Sequence, residues 1–285
     1  MLIAIYGSRR QTPHAASLQK LLRALAVGGA EIAMHPKLYS HLRDDLGMAL
    51  PGVIPADAHS VPADAGLVLS IGGDGTFLRT ATWVAQAEKP ILGINTGTLG
   101  YLSALGIDEA VSQAGAILEA DFAVEPRTLL QVQAPGINGW PYALNEAVVA
   151  KESSSSIITV CASLGSRSLT DYRADGLIVS TPTGSTAYNL SAGGPIVQPT
   201  TPVWTITPIC AHSLGMRPLV VSDDTVLHLR VDGRGNTFRL SIDGRNSTLP
   251  MGTEVTLRRA PFRTLIVQTH ANEFPAPLRS KLMFN

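Results

Sequence analysis

The chain has 285 residues, in which 22 Lys and Arg balance 22 Asp and Glu and 45% of positions are apolar. That length holds one large domain or two ordinary ones, and two are expected. The charge balance argues against nucleic acid or an anionic membrane as the principal partner and leaves a small molecule.

Leu2 to Tyr6 is an apolar run closed by Gly7, too short for a leader segment, and reads as a buried strand. Secretion is not expected; a cytoplasmic location is. Arg9-Arg10 reads as a solvated loop, with contact to a phosphate as the alternative. Thr12-Pro13 offers an N-cap and a first-turn proline for a helix carrying Leu18, Leu21, Leu22 and Leu25. Glu31 to Met34 comes next as a strand, then Gly66 to Ile71 as a strand, Thr76 to Gln86 as a helix, and Ile91 to Ile94 as a strand running into "NTGTLGYL". This alternation predicts a parallel sheet covered by helices. A last helix, capped by Asp108 and reaching about Glu119, bridges to the C-terminal part of the chain.

From Arg127 the texture changes to short β-rich runs: "TLLQVQA", "ALNEAVVA", "IITVCAS", "GLIVS", "VWTITPIC", "TVLHLRV", "TFRLSIDG" and "EVTLRR". Between them stand Pro135-Gly136, Asn138-Gly139, Asp232-Gly233 and Asp243-Gly244, pairs suited to turns with positive φ. The fold expected is an α/β N-terminal domain with a parallel sheet plus a C-terminal all-β, sandwich-like domain. Ser153 to Ser156 reads as a solvated loop. Cys161 and Cys210 match no metal-ligand spacing and read as buried reduced thiols. From Leu177 through Met216 there is no Asp, Glu, Lys or Arg. Pro, Thr, Ser and Gly interrupt that stretch before it approaches the roughly 20 apolar residues of a membrane span, so a buried site or subunit interface is expected there.

Three stretches carry chemistry. "SIGGDGTFLR", Ser70 to Arg79, joins a strand to a helix through three glycines, a geometry that aims N–H groups and the helix dipole at an anion. It matches neither the P-loop nor the Rossmann pattern, and no lysine sits in the turn. Asp74 has two readings: a cap for the helix, or an acid that binds a metal or takes a proton from an attacking hydroxyl. In "LNEAVV", Asn145 and Glu146 interrupt an apolar strand; a plain strand end with Glu146 solvated is the alternative to a site. "DYRADGLIVSTPTGSTAYNLSAGGPIV", Asp171 to Val197, places hydroxyls, free N–H groups and the Tyr188 ring where they suit a polar ligand, with a capped helix between strands as the bland reading. Asp243 in "SIDG" reads as a turn residue and His212 as structural. No Ser/His/Asp order and no zinc cluster emerges.

Taken in order, "GGDGT" at 72–76, "LGINTGTLGYL" at 92–102, "NE" at 145–146, "DGLIVSTPTGSTAYNLSAGGPIV" at 175–197 and "SIDG" at 241–244 resemble the NAD kinase family. "GGDGT" alone also suits diacylglycerol, sphingosine and phosphofructo-type kinases; the long block separates the family from them. The resemblance implies an α/β donor-side domain, 1–104, joined by a C-terminal tail, 268–285, and a β-rich NAD-binding domain, 105–267, with NAD between them. It implies transfer of a phosphoryl group from ATP or polyphosphate, with Mg²⁺ or another divalent cation, to the 2′-hydroxyl of the adenosine ribose. Asp74 is then the catalytic residue at that ribose, beside Gly75, Asn145 and Glu146. Thr186, Ala187 and Tyr188 contact adenine, Asp175 and Ser191 the nicotinamide end, and Arg173 the phosphates, with reach into a neighbouring subunit. Gly72, Gly73, Gly75 and Thr76 face the donor phosphates. The family resemblance also implies a homodimer or homotetramer. Two positions depart from it: Ala104-Leu105 stand where a Thr-Asp pair is frequent, and Arg245 where Gln is. The metal ligands and the roles of Asp243 and Arg245 stay open. The competing readings are a lipid or sugar kinase sharing only "GGDGT", and a dinucleotide sensor without turnover.

Overall fold

The structure, a computed structural model, describes residues 1–9, 12–97, 100–120, 122–152, 156–269 and 273–282. Arg10, Thr98, Leu99 and Ser153 to Ser155, which belong to the motifs and loops of the sequence, lie outside the described residues. The chain divides into two compact units, Met1–Pro126 with Thr264–Asn285, and Arg127–Arg263.

In the first unit β1 (Leu2–Gly7), α1 (Ala15–Val27), β2 (Glu31–Met34), α2 (Pro36–Ser40), β3 (Val53–Pro55), β4 (Ala65–Ile71), α3 (Asp74–Val84) and β5 (Ile91–Asn95) follow one another. β6 (Leu105–Gly106), α4 (Ile107–Ser112) and α5 (Ala114–Glu119) complete the run. The strands pair in parallel in the order β3-β2-β1-β4-β5. Apolar runs such as Ile3 to Ile5 and Leu67 to Leu69 are what a sheet covered on both faces requires, and all of these side chains are buried. Leu18, Leu21, Leu22 and Leu25 form the buried stripe of α1, as their spacing predicts. Thr12 does not cap that helix: Thr12–His14 make a 3₁₀ turn, and α1 starts at Ala15. Nor does Asp108 cap α4. Gly106 precedes the helix, Asp108 lies in its first turn and accepts a hydrogen bond from Ser17 Oγ at 2.6 Å, and the expected single helix breaks at Gln113. Ile107, Ala110, Ala114 and Ile117 pack into the same core as β1 and β4, so the expected domain boundary at 104/105 falls inside this unit. The end of β18 (Glu254–Val267) belongs here: Val267 joins that core, Ile266 pairs with Ile91, and Gln268 N–H donates to the Ala123 carbonyl.

His35, ahead of α2, is buried against Tyr6 and Trp83, with ring centroids 4.5 and 5.5 Å away. Nδ1 accepts the Lys37 N–H and Nε2 lies 3.2 Å from the Ala58 carbonyl, which fixes a neutral tautomer with its proton on Nε2. Burial, the largest cause, lowers its pKa from the ordinary 6.5. Below 6.5 the unfolded chain takes up a proton that the folded chain refuses until the lower value is reached, so stability rises with pH across that window and is complete above it. Thermal melts will therefore show the melting temperature falling on acidification below pH 6.5, and His35→Gln will flatten that part of the slope.

The second unit holds β7 (Val124–Gln133), whose first three residues belong to the first unit, β8 (Tyr142–Ala143), β9 (Glu146–Lys151), β10 (Ile158–Leu164), β11 (Arg167–Ala174) and β12 (Gly176–Ser180). Then come α6 (Tyr188–Ser191), β13 (Val203–Ile209), β14 (Leu219–Ser222), β15 (Leu227–Asp232), β16 (Thr237–Ile242), β17 (Arg245–Pro250) and β18 (Glu254–Val267), whose end belongs to the first unit, before α7 (Ala276–Leu282). One antiparallel sheet has the order β14-β13-β12-β9-β16-β17, and another runs β11-β10-β15-β18. Leu177, Val179 and Trp204 of the former share a core with Val160, Leu229 and Val255 of the latter, so the two layers make the expected sandwich. Much of the charge-free stretch is thereby explained, because β12 and β13 are inner strands with buried residues. Beyond them Leu214 stands exposed. Both cysteines are free, as expected, but neither is buried: Cys161 is half-buried and Cys210 exposed where β13 leaves the sheet.

Candidate active site

In the first unit the turn after β4 brings Gly72, Gly73, Asp74, Gly75 and Thr76 to the carboxyl end of the parallel sheet, where such sheets place ligands. Gly72 N–H donates to the Ile94 carbonyl at 2.8 Å, tying the turn to β5. Gly73 and Gly75 are exposed at the start of α3, where N–H groups lack intrahelical acceptors and carry the positive end of the dipole. Thr76 is buried beneath them, and its hydroxyl accepts from Arg79 Nη2 at 3.3 Å. Sequence reasoning missed this cation, one helical turn past the glycines.

Asp74 does not cap α3. Gly73 holds the N-cap position, α3 begins at Asp74, two residues earlier than expected, and the carboxylate turns to the segment after β5. Oδ2 accepts the Tyr101 N–H at 2.8 Å and Oδ1 the Leu102 N–H at 3.1 Å. Each oxygen keeps a further lone pair for an outside donor. Gly100 makes the approach feasible, because a Cβ there would lie 1.7 Å from Asp74 Oδ1. Burial, then the Asp74 charge, raises the Tyr101 phenol above its ordinary range, so the ring stays neutral beside the acid. Asn95 is buried next to this turn: Oδ1 accepts the Gly97 N–H at 2.8 Å and Nδ2 has no partner among the described residues. Ala104 and Leu105 are core residues here, with the Ala104 carbonyl accepting from Thr269 Oγ1.

In the second unit the expected ligand loop is a 3₁₀ turn, Thr183–Thr186, followed by the short α6. It is bound to the start of β9. Thr181 N–H donates to the Asn145 carbonyl at 2.9 Å, Thr181 Oγ1 to the Leu144 carbonyl at 2.5 Å, and Gly184 N–H to Thr181 Oγ1 at 3.1 Å. A Cβ on Gly184 would meet the Asn145 carbonyl oxygen at 2.2 Å, so only glycine allows this contact. Asn189 locks the loop from within. Fully buried, it donates through Nδ2 to the Ser185 and Pro195 carbonyls, both at 3.0 Å, and accepts at Oδ1 from Thr205 and Thr207 Oγ1 at 3.2 and 2.7 Å. Thr186 and Ala187 are half-buried, and Tyr188 and Ser191 present themselves to solvent.

Glu146 is not a solvated strand end. It is half-buried, takes the Tyr188 N–H on its carboxylate, and has Oε2 buried without a hydrogen-bond partner among the described residues. Burial, reinforced by the charge of Asp243, pushes it up to about 8. Asp175 is paired: Lys151 Nζ lies 2.6 Å from its Oδ1, a partner the sequence pattern does not reveal. Arg173 is exposed on the edge strand β11. Arg245 donates to the Tyr142 carbonyl at 2.6 Å and lies over the Trp140 ring, 5.7 Å from its centroid.

A carboxyl side chain held by two backbone N–H groups beside a glycine-rich helix start is the equipment of a kinase that phosphorylates a hydroxyl group. Matches to known proteins narrow this. Residues 18–122 match the ATP-NAD kinase N-terminal domain and residues 144–269 the ATP-NAD kinase C-terminal domain. An NAD kinase of Porphyromonas gingivalis is 43% identical over 284 residues, 99% of this chain and 97% of that protein. One of Bacteroides fragilis is 40% identical over 289 residues, covering 100% of this chain and 98% of that protein. Among solved structures, yeast NADH kinase complexed with NADH superposes with a TM-score of 0.86 at 24% identity, covering 100% of this chain and 88% of that one, a likeness of fold. The chain belongs to the NAD kinase family and carries its activity, the ATP-dependent phosphorylation of NAD.

Proposed function

We propose that Asp74 is the base of this reaction, accepting the proton of the adenosine 2′-hydroxyl as that oxygen attacks the terminal phosphoryl group of the donor. The observation that carries this is the Asp74 carboxylate held by the Tyr101 and Leu102 N–H groups at the glycine-rich start of α3. Such a carboxylate is fixed in direction and still has lone pairs for a hydroxyl. Gly73 and Gly75 offer backbone N–H groups to the donor phosphates, with ATP as the donor, while Gly72 and Thr76 build the turn beneath them, their own N–H groups held by the Ile94 and Gly73 carbonyls; polyphosphate would use the same groups. Asn145 and Glu146 hold the ribose, and Thr186, Ala187 and Tyr188 the adenine. Asp175, backed by Lys151, and Ser191 receive the nicotinamide amide, while Arg173 reaches phosphate, in a homodimer or homotetramer through a neighbouring copy. The working location is the cytoplasm. No helix among the described residues is long and apolar enough to cross a membrane.

Mg²⁺ or another divalent cation fits this donor set. The described residues form no group of three or more His, Cys, Asp or Glu for a metal, and Mg²⁺ on nucleotide phosphates keeps most of its waters and needs only one or two carboxylates. Asp74 would be the carboxylate to hold it. When bound, the ion neutralises charge on the donor phosphates.

The test is a substrate panel with purified protein: ATP or polyphosphate as donor, NAD or NADH as acceptor, and Mg²⁺ present or chelated. The expected product is the 2′-phosphorylated dinucleotide, formed with ATP and lost on chelation. A phosphate found on another hydroxyl, or full turnover in chelator, contradicts the reading.

A further inference from the structure

Asp243 has no part in the roles given above. It turns the chain between β16 and β17 at φ 46, followed by Gly244 at φ 77, and a hairpin turn needs no more than that. Yet its carboxylate gathers three successive N–H groups from about a hundred residues earlier in the chain. Leu144 donates to Oδ2 at 2.7 Å, and Asn145 and Glu146 donate to Oδ1 at 2.9 and 3.1 Å. Its own N–H donates back to the Glu146 carbonyl at 3.1 Å. Thr181 grips the same residues through the Leu144 and Asn145 carbonyls, so this short segment is held from two elements at once. The Glu146 side chain that projects from it keeps Oε2 buried and, among the described residues, unpartnered.

We infer that Asp243 is a positioning residue for Glu146: it fixes the backbone from which Glu146 projects and holds a carboxylate against it, so that the free oxygen of Glu146 meets a sugar hydroxyl of the acceptor in one orientation. This rests on the reading of Glu146 as a ribose contact. Burial pushes the Asp243 carboxyl up from its ordinary value, opposed by its three N–H donors and by Arg245 in the same hairpin. Glu146 has one such donor, Tyr188 N–H, so of the two acids it is Glu146 that holds the proton. A protonated carboxyl both donates to and accepts from a hydroxyl; an ionised one only accepts.

Steady-state kinetics across about pH 6 to 9 separate the roles. In the wild type the KM for NAD rises above pH 8 as Glu146 ionises, while the KM for ATP does not follow it. Glu146→Gln, a donor at every pH, removes the rise. Asp243→Asn moves its onset down by about one unit or more, since the like charge is gone, and adding Glu146→Gln flattens it again. Asp243→Ser, equally uncharged, makes the same comparison if the asparagine variant folds poorly by thermal melt. A folded Asp243 variant whose KM rises at the wild-type pH overturns the inference. A Glu146→Gln enzyme that still shows the wild-type rise overturns instead the placement of Glu146 at the ribose.

Discussion

Replacing Asp74 by Asn lowers kcat for NADP formation by about 10²–10⁴-fold, the range for loss of a positioned general base. The substitution is nearly isosteric and keeps one carbonyl oxygen, so one of the two hydrogen bonds from Tyr101 and Leu102 survives. The other N–H then faces an amide donor, a loss of about 1–3 kcal/mol confined to this turn. The α3 helix itself is untouched, because Gly73 and not Asp74 holds its N-cap. Steady-state assays with saturating ATP will show the loss in kcat, with the KM for NAD much less altered. An Asp74→Asn enzyme that turns over near the wild-type rate would leave the carboxylate with one task, holding the segment after β5.

The second large effect is on stability. Asn189→Leu removes a side chain whose Nδ2 and Oδ1 serve four partners within a fully buried site, and leaves the Ser185 and Pro195 carbonyls without their donor. Each such group left unsatisfied costs about 1–3 kcal/mol, so the two carbonyls alone are expected to cost roughly 2–6 kcal/mol. Against a typical 5–15 kcal/mol for a whole fold this is a large share. Denaturant unfolding will show it as a lower midpoint of the transition. Asn189→Asp keeps the acceptor for Thr205 and Thr207 but cannot donate to the carbonyls and buries a charge, so it will be no more stable than the leucine variant. A midpoint unchanged in both would mean the loop from Thr183 to Pro195 does not depend on this hub.

Where burial was complete, the sequence was readable. β1 and β4 are apolar runs because parallel inner strands face apolar neighbours on both sides, and α1 shows its stripe because one face alone is buried. In the second unit three strands escaped notice, "RSLTDYRA", "LVVS" and "RNSTLP", which lie at the sheet edges and scatter few buried residues among exposed and half-buried ones, so their composition resembles that of loops. Within the site, the acids and hydroxyls stood out as anomalies in apolar or glycine-rich settings. The residues that hold them did not. Gly100 matters through the space it leaves for Asp74, Lys151 through a side chain meeting Asp175, and Asp243 through N–H groups 97 to 99 positions away. No local pattern announces contacts of that range. Asn189 lay inside a quoted motif, but only the tertiary arrangement of β13 beneath it shows that its amide is structural.

Calorimetric titration of NAD into the Asp74→Asn protein, set beside its turnover, separates chemistry from binding most directly. A base at the 2′-hydroxyl contributes one hydrogen bond to the ground state, about 0.5–1.5 kcal/mol, so NAD is expected to bind within roughly tenfold of wild-type affinity while turnover is lost. An affinity that falls as far as kcat/KM would show that Asp74 binds the dinucleotide and does not act on its hydroxyl.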